Sequence, residues 1–292
     1  MLQDSDEYCG YSTIYNFSDY CMKKANSSFL SNEWKRIIKT NEYDKMDSRE
    51  VLTSLIFQGI PNDVRGDVWN KFACIGIDFS DIDYENLHER ASERANDIIL
   101  RDSNRTFPCS IGNERARSYT DVLIKILQSY AAIDEQVGYT QGMNFVASMP
   151  LVLTKNEYQT FCTFYGMMQN PLIYLRDIYQ DGFPGFFELA KIWNFLLEKK
   201  YPWLFHKLEN NNINILVLVA KFFQSILLAY DVPLELKLNM FDRIVLFGKV
   251  SLLSLQMAII RIFSNEFKLM SGIECQHFLL RVDQNEVFND VP

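Results

Sequence analysis

The sequence predicts an all-α fold, and three observations carry that prediction. Apolar residues recur at steps of three and four through most of the 292 residues, and no stretch alternates apolar and polar residues over strand length. No Asn-Gly or Asp-Gly pair stands between β-branched runs, since the one Asp-Gly, Asp181-Gly182, runs into Phe183-Pro184-Gly185 and reads as a loop.

The elements follow in order. The first 30 residues are polar and aromatic without a clear period and read as a loosely docked arm. Asp47 with Glu50 three residues later suits a capping box, and Val51, Leu52, Leu55 and Ile56 share one face, which predicts a helix over 48–58 stopped by Gly59. Pro61 suits the first turn of a second short helix carrying Val64, Val68, Trp69 and Phe72. Tyr119, Val122, Leu123, Ile126, Leu127 and Tyr130 form a third stripe, and Phe161, Phe164, Tyr165 and Met168 a fourth. Another runs from Phe186 to Leu197 and ends before Pro202, and near-continuous apolar helices follow over 213–230, 234–247 and 250–263. No fixed period recurs, which favours an irregular bundle over a repeat solenoid. The best place for a division is 169–185, where Asn170-Pro171 and a Gly/Pro cluster interrupt the helical pattern twice.

Composition narrows the function classes. At 48% hydrophobic and 23% charged, the chain has ample apolar content for a core. Its 29 Lys and Arg against 37 Asp and Glu give a formal net charge of −8, which argues against a protein that coats nucleic acid. Charged and polar residues such as Lys221, Gln224 and Lys249 interrupt the longest apolar runs, so no transmembrane segment is expected. The start lacks the pattern of a secretory signal, and six scattered cysteines without C-x-x-C spacing read as reduced core thiols in a cytoplasmic protein. His88, His206 and His277 lie far apart, and no metal site is expected. Gly248-Lys249 has Arg243 where a phosphate-binding loop needs its first glycine, so the chain is not expected to hydrolyse a nucleoside triphosphate alone.

Two segments break the helical pattern in ways that suggest chemistry. In the first, a helix with Ile98 and Ile99 inward runs into a polar end and Pro108, with Asp102 and Arg105 three residues apart, close enough for the carboxylate to hold the guanidinium. A braced arginine at a helix end is stiff enough to enter another molecule's site, although such a pair alone reads more readily as a solvated ion pair. The second is Gly138-Tyr139-Thr140-Gln141-Gly142-Met143-Asn144, where two glycines allow a sharp turn that exposes the Gln141 amide. Alone it also reads as the start of a buried helix.

Taken in order, these segments resemble the TBC domain, the family of GTPase-activating proteins for Rab small GTPases. Gly59-Ile60-Pro61 with Arg65 and Trp69, an IxxDxxR pattern at Ile99, Asp102 and Arg105, and a YxQ pattern at Tyr139 and Gln141 all match, over about residues 52–263. Two positions depart from the family pattern: Phe161-Cys162 and Phe241-Asp242 stand where an aromatic-Trp and a Trp-Asp are usual, and small packing changes are expected from both.

The resemblance implies an irregular two-lobed helical domain over 47–292 behind an N-terminal arm at 1–46, with a lobe at 47–170 carrying both motifs and a second lobe at 171–292. It implies a dual-finger mechanism in which Arg105 stabilises phosphate charge on a partner's GTP and Gln141 orients the attacking water. Asp102 would hold Arg105, and Tyr139 would brace the loop between Gly138 and Gly142. Arg65 and Trp69 are structural or interface candidates, with Arg65 expected to bond across the loops. No cofactor of its own is implied, because GTP and magnesium belong to the partner, a Rab-type small GTPase. The expected setting is cytoplasmic, with recruitment to endomembranes through partners. A scaffold that binds a GTPase without activating it is the alternative. The acidic run 78–93 before the arginine helix is a candidate selector of partners, or simply a solvated face.

Overall fold

The computed structural model describes residues 27–40, 48–107, 113–230 and 232–281. Every regular element among them is helical, in agreement with the all-α expectation. The chain divides into two compact units, Met1–Val64 and Arg65–Pro292. The segment 169–185, expected as a lobe boundary, lies inside the second unit. Most of the arm, and the capping residue Asp47, fall outside the described residues.

In the first unit, α1 (Ser27–Thr40) lies within the stretch expected to be an arm, and it packs beside α2 (Ser48–Gln58). Leu30, Trp34 and Ile37 recur at steps of four and three and are buried, which explains why this stretch is a helix. Trp34 Nε1 donates to Gly59 O at 3.2 Å, giving the buried indole a partner at the end of α2. Helix α3 (Asn62–Ala73) starts in this unit and continues into the next.

The second unit is organised around α5 (Asn113–Ile133), 21 residues long, whose Leu123, Ile126, Leu127 and Tyr130 are completely buried. Against it lie a 3₁₀ turn (Leu87–Arg90), α4 (Glu93–Ser103), α6 (Met143–Thr154) and α7 (Glu157–Gln169). After α7 the side chain of Asn170 turns back, and its Nδ2 donates to Phe72 O and Ala73 O, both at 3.1 Å. Two carbonyls at the end of α3 are thereby satisfied by a residue about a hundred positions away.

A four-residue helix, α8 (Arg176–Tyr179), leads into α9 (Pro184–Lys200), α10 (Pro202–Asn210) and α11 (Ile215–Ser225). The remaining elements are α12 (Leu234–Phe247), α13 (Ser251–Ile262), α14 (Ser264–Leu269) and α15 (Gly272–Leu280). The expected apolar helix over 213–230 ends early, because Ile226 and Leu227 adopt positive φ of 45° and 67° and break the helical backbone. Helices α14 and α15 lie beyond the stripes read in the sequence. Ser271 and Glu274 form a reciprocal cap at the start of α15, with bonds of 3.2 and 2.7 Å.

Candidate functional site

Helix α4 is capped by Ser92, whose side chain accepts from Ala95 N at 3.3 Å. Ile99 is fully buried on its inner face, and that registration buries Asp102 in the last turn. The helix ends at Ser103, and a turn follows in which Arg105 N bonds to Asp102 O at 3.2 Å. This turn carries Arg105 outward while its guanidinium stays anchored. Nε and Nη2 lie 3.1 and 2.7 Å from Asp102 Oδ1, with the arginine side chain 57% exposed and that of the aspartate 7%.

The second oxygen of Asp102 reaches the other motif. Tyr139 OH donates to Asp102 Oδ2 at 2.9 Å and also lies 3.2 Å from Asn144 Oδ1. Burial, reinforced by the neighbouring carboxylate, pushes the Tyr139 phenol well above its ordinary range, so it remains a donor. Asn144 Oδ1 accepts from Gly142 N at 3.1 Å, while its Nδ2 donates to Thr106 Oγ1 at 2.8 Å. Thr106 Oγ1 in turn donates to Asp102 O at 2.8 Å. One closed network therefore joins the turn bearing Arg105 to the turn bearing Gln141. Gln141 itself is exposed, between a half-buried Thr140 and a buried Gly142.

Gly138 and Gly142 both have positive φ, 57° and 111°. They differ in surroundings. A Cβ on Gly138 would meet nothing within 4 Å, whereas one on Gly142 would lie 2.2 Å from the backbone oxygen of Gln224. Gly142→Ala is therefore expected to cost more than the strain of an unfavourable φ, about 1–3 kcal/mol, because the loop must also retreat from α11. Gly138→Ala should cost about 1–2 kcal/mol through strain alone. Urea unfolding of both variants, measured side by side, checks that order.

Arg65 and Trp69 sit in a buried cluster with Asp242 of α12. Trp69 Nε1 donates to Asp242 Oδ1 at 2.7 Å and Arg65 Nε donates to the same oxygen at 3.2 Å, with Glu235 3.6 Å from Arg65 Nη2. Phe241 packs on Trp69 with ring centroids 4.3 Å apart. At 2% exposure or less, these two side chains are part of the core and present no surface. The partners of Arg65 include a helix rather than the loops alone.

Asn144 and Thr106 belong to the network, although Asn144 entered the sequence reading only as the end of the second segment, with no role of its own. The signal available was an Asn at the start of a helix two residues after a glycine, where a side-chain oxygen can accept a backbone N–H. The acidic run before α4 keeps Asp78, Asp81, Asp83, Glu85, Glu89 and Glu93 exposed. Among the described residues no cluster of His, Cys, Asp and Glu is arranged to hold a metal ion, and no helix is long and apolar enough to cross a membrane.

This helical architecture is shared with two solved structures. The Chlamydomonas flagellar RabGAP TBC domain superposes with a TM-score of 0.68 at 18% identity, covering 91% of each chain. The Ypt/Rab-GAP domain of Gyp1p gives 0.66 at 15% identity, covering 91% of this chain and 98% of that one. These likenesses define the class of fold, the all-α TBC architecture. The Rab-GTPase-TBC domain family matches residues 62–268, and the chain belongs to that family.

Among its relatives, the GTPase-activating protein GYP5 of Saccharomyces cerevisiae is 30% identical over 250 residues, which are 83% of this chain and 25% of that protein. The Rab GTPase-activating protein tbc-11 of Caenorhabditis elegans is 30% identical over 237 residues, 78% of this chain and 24% of that protein. The chain thus spans about a quarter of the length of these two relatives.

Proposed function

We propose that this chain is a GTPase-activating domain for a Rab-type small GTPase and works by supplying two side chains to a GTP and magnesium site held by its partner. Arg105 neutralises charge on the phosphates, and Gln141 orients the attacking water. The observation that carries this reading is the shared network through Asp102, Tyr139 and Asn144, which fixes an exposed arginine and an exposed glutamine relative to one another.

The chemistry suits that arrangement. Phosphoryl transfer to water asks a catalyst mainly for positioning and charge stabilisation. Asp102 takes two of the five N–H donors of Arg105 and leaves three for phosphate oxygens. The protein acts in trans and is not itself the hydrolase. It reaches endomembranes through its partners.

The test is single-turnover GTP hydrolysis by a panel of Rab proteins with and without this protein, with Gln141→Ala run alongside. Acceleration of at least one Rab by about 10³-fold or more is expected, and most of it should be lost in the variant. Binding to a Rab without acceleration would establish the scaffold instead.

A further inference from the structure

The network around Asp102 holds Arg105 from one side, but the turn bearing Gln141 is also gripped from the opposite end of the sequence motif by α8. Asp134, at the end of α5, makes the turn. Its backbone oxygen accepts from Val137 N at 3.1 Å and Gly138 N at 2.7 Å. Its carboxylate is buried and receives Tyr130 OH at 2.9 Å, Gln169 Nε2 at 3.1 Å and a two-point bond from Arg176, with Nε 2.6 Å from Oδ2 and Nη2 2.9 Å from Oδ1. Arg176 Nη2 also donates to Gln136 Oε1 at 3.0 Å, and Nη1 to Gln180 Oε1 at 2.6 Å. Burial would raise the Asp134 carboxyl, but the bonds from Arg176 and Tyr130 outweigh it and hold it below its ordinary range.

One turn further along α8, Tyr179 completes the grip. Its backbone oxygen accepts from Thr140 Oγ1 at 2.9 Å, and its hydroxyl donates at 2.7 Å to Gln224 O, the atom against which Gly142 packs. A four-residue helix therefore touches the turn at 134, 136 and 140 and steadies the carbonyl behind 142. Gln141 lies between the last two.

We infer that Arg176 is a positioning residue for Gln141, acting through Asp134 and, with Tyr179, as a strut that fixes the turn from which the glutamine reaches the partner. This rests on the reading of Gln141 as the group that orients water. It adds, to the network through Asp102 that the two turns share, a second support from α8 that bears on the glutamine turn. A strut of this kind leaves association with the GTPase unchanged and acts on the chemical step, where a displacement of about 1 Å costs on the order of 10²-fold.

The experiment uses the whole chain with a responsive Rab and measures kcat and KM of stimulated hydrolysis. Arg176→Lys keeps a cation but cannot bond both oxygens of Asp134 through a rigid fork. It is expected to lower kcat by about tenfold or more with KM for the GTPase changed less than about twofold, and to add less than about twofold when placed in Gln141→Ala. Thr140→Val removes one bond to Tyr179 without touching the ion pair, and reads the same effect, in smaller size, if Arg176→Lys folds poorly. The inference is overturned if both variants keep wild-type kcat while Gln141→Ala is slow, or if Arg176→Lys lowers kcat as much in Gln141→Ala as alone. Full activity of Gln141→Ala itself would overturn the underlying role of the glutamine.

Discussion

Arg105→Ala is expected to lower stimulated GTP hydrolysis by about 10³-fold or more while leaving the protein folded. The guanidinium is more than half exposed, so its pair with Asp102 is screened by water and contributes no more than about 1 kcal/mol to stability. Asp102 keeps the Tyr139 hydroxyl as a donor when the arginine is gone, and the network through Asn144 and Thr106 does not pass through the guanidinium. Activity and stability should therefore separate. Arg105→Lys should recover little, since an ammonium cannot hold the carboxylate through two nitrogens and still offer donors to phosphate in the same plane. Single-turnover rates set beside urea midpoints for the two variants check both halves. A variant that keeps its rate removes Arg105 from the mechanism.

The opposite separation is expected at Asp242. Asp242→Ala removes the carboxylate that Arg65 and Trp69 share in the core, and breaking a buried charge pair from one side costs about 3–5 kcal/mol. Burial pushes the Asp242 carboxyl up to about 6 against the pull of Arg65 and the hydrogen bonds of Trp69 and Arg65. The folded state then binds that proton more tightly than the unfolded chain, whose value is near 3.8. The contribution of this group to stability is complete below pH 3.8 and is lost as pH rises through 6. Near neutrality the pair is still charged, so the alanine variant leaves a buried cation short of its closest carboxylate. Urea unfolding at about pH 4 and about pH 7 should show a falling step in the wild type that is absent in Asp242→Asn.

What the sequence revealed depended on how far apart the interacting residues lie. The stripes of α5, α7 and α9 were readable because each is a local spacing of apolar residues, and the two motifs were readable because Asp102 with Arg105, and Tyr139 with Gln141, are near neighbours. The bonds that hold the motifs together were not. Asn144 reaches Thr106 across 38 positions and Arg176 reaches Asp134 across 42. No period or composition marks such pairs. A small packing change was expected at Phe241, which packs on Trp69, but nothing local showed that Asp242 beside it is the acceptor that Arg65 and Trp69 share. Ile226 and Leu227 misled in the other direction, since an unbroken apolar run gave no sign of the positive φ that ends α11.

The bond from Arg65 to Asp242 spans 177 positions, and the one from Trp69 spans 173. A chain emerging from the ribosome exposes α3 long before α12 exists. During that interval the Arg65 cation and the Trp69 ring lack their Asp242 acceptor, and closure of the core must await the synthesis of α12. Contacts of such separation slow folding, because the intervening chain loses its freedom before any bond forms. The consequence is that the portion bearing Arg105 and Gln141 is not a detachable module: a fragment ending before α12 would carry both side chains on a core left open.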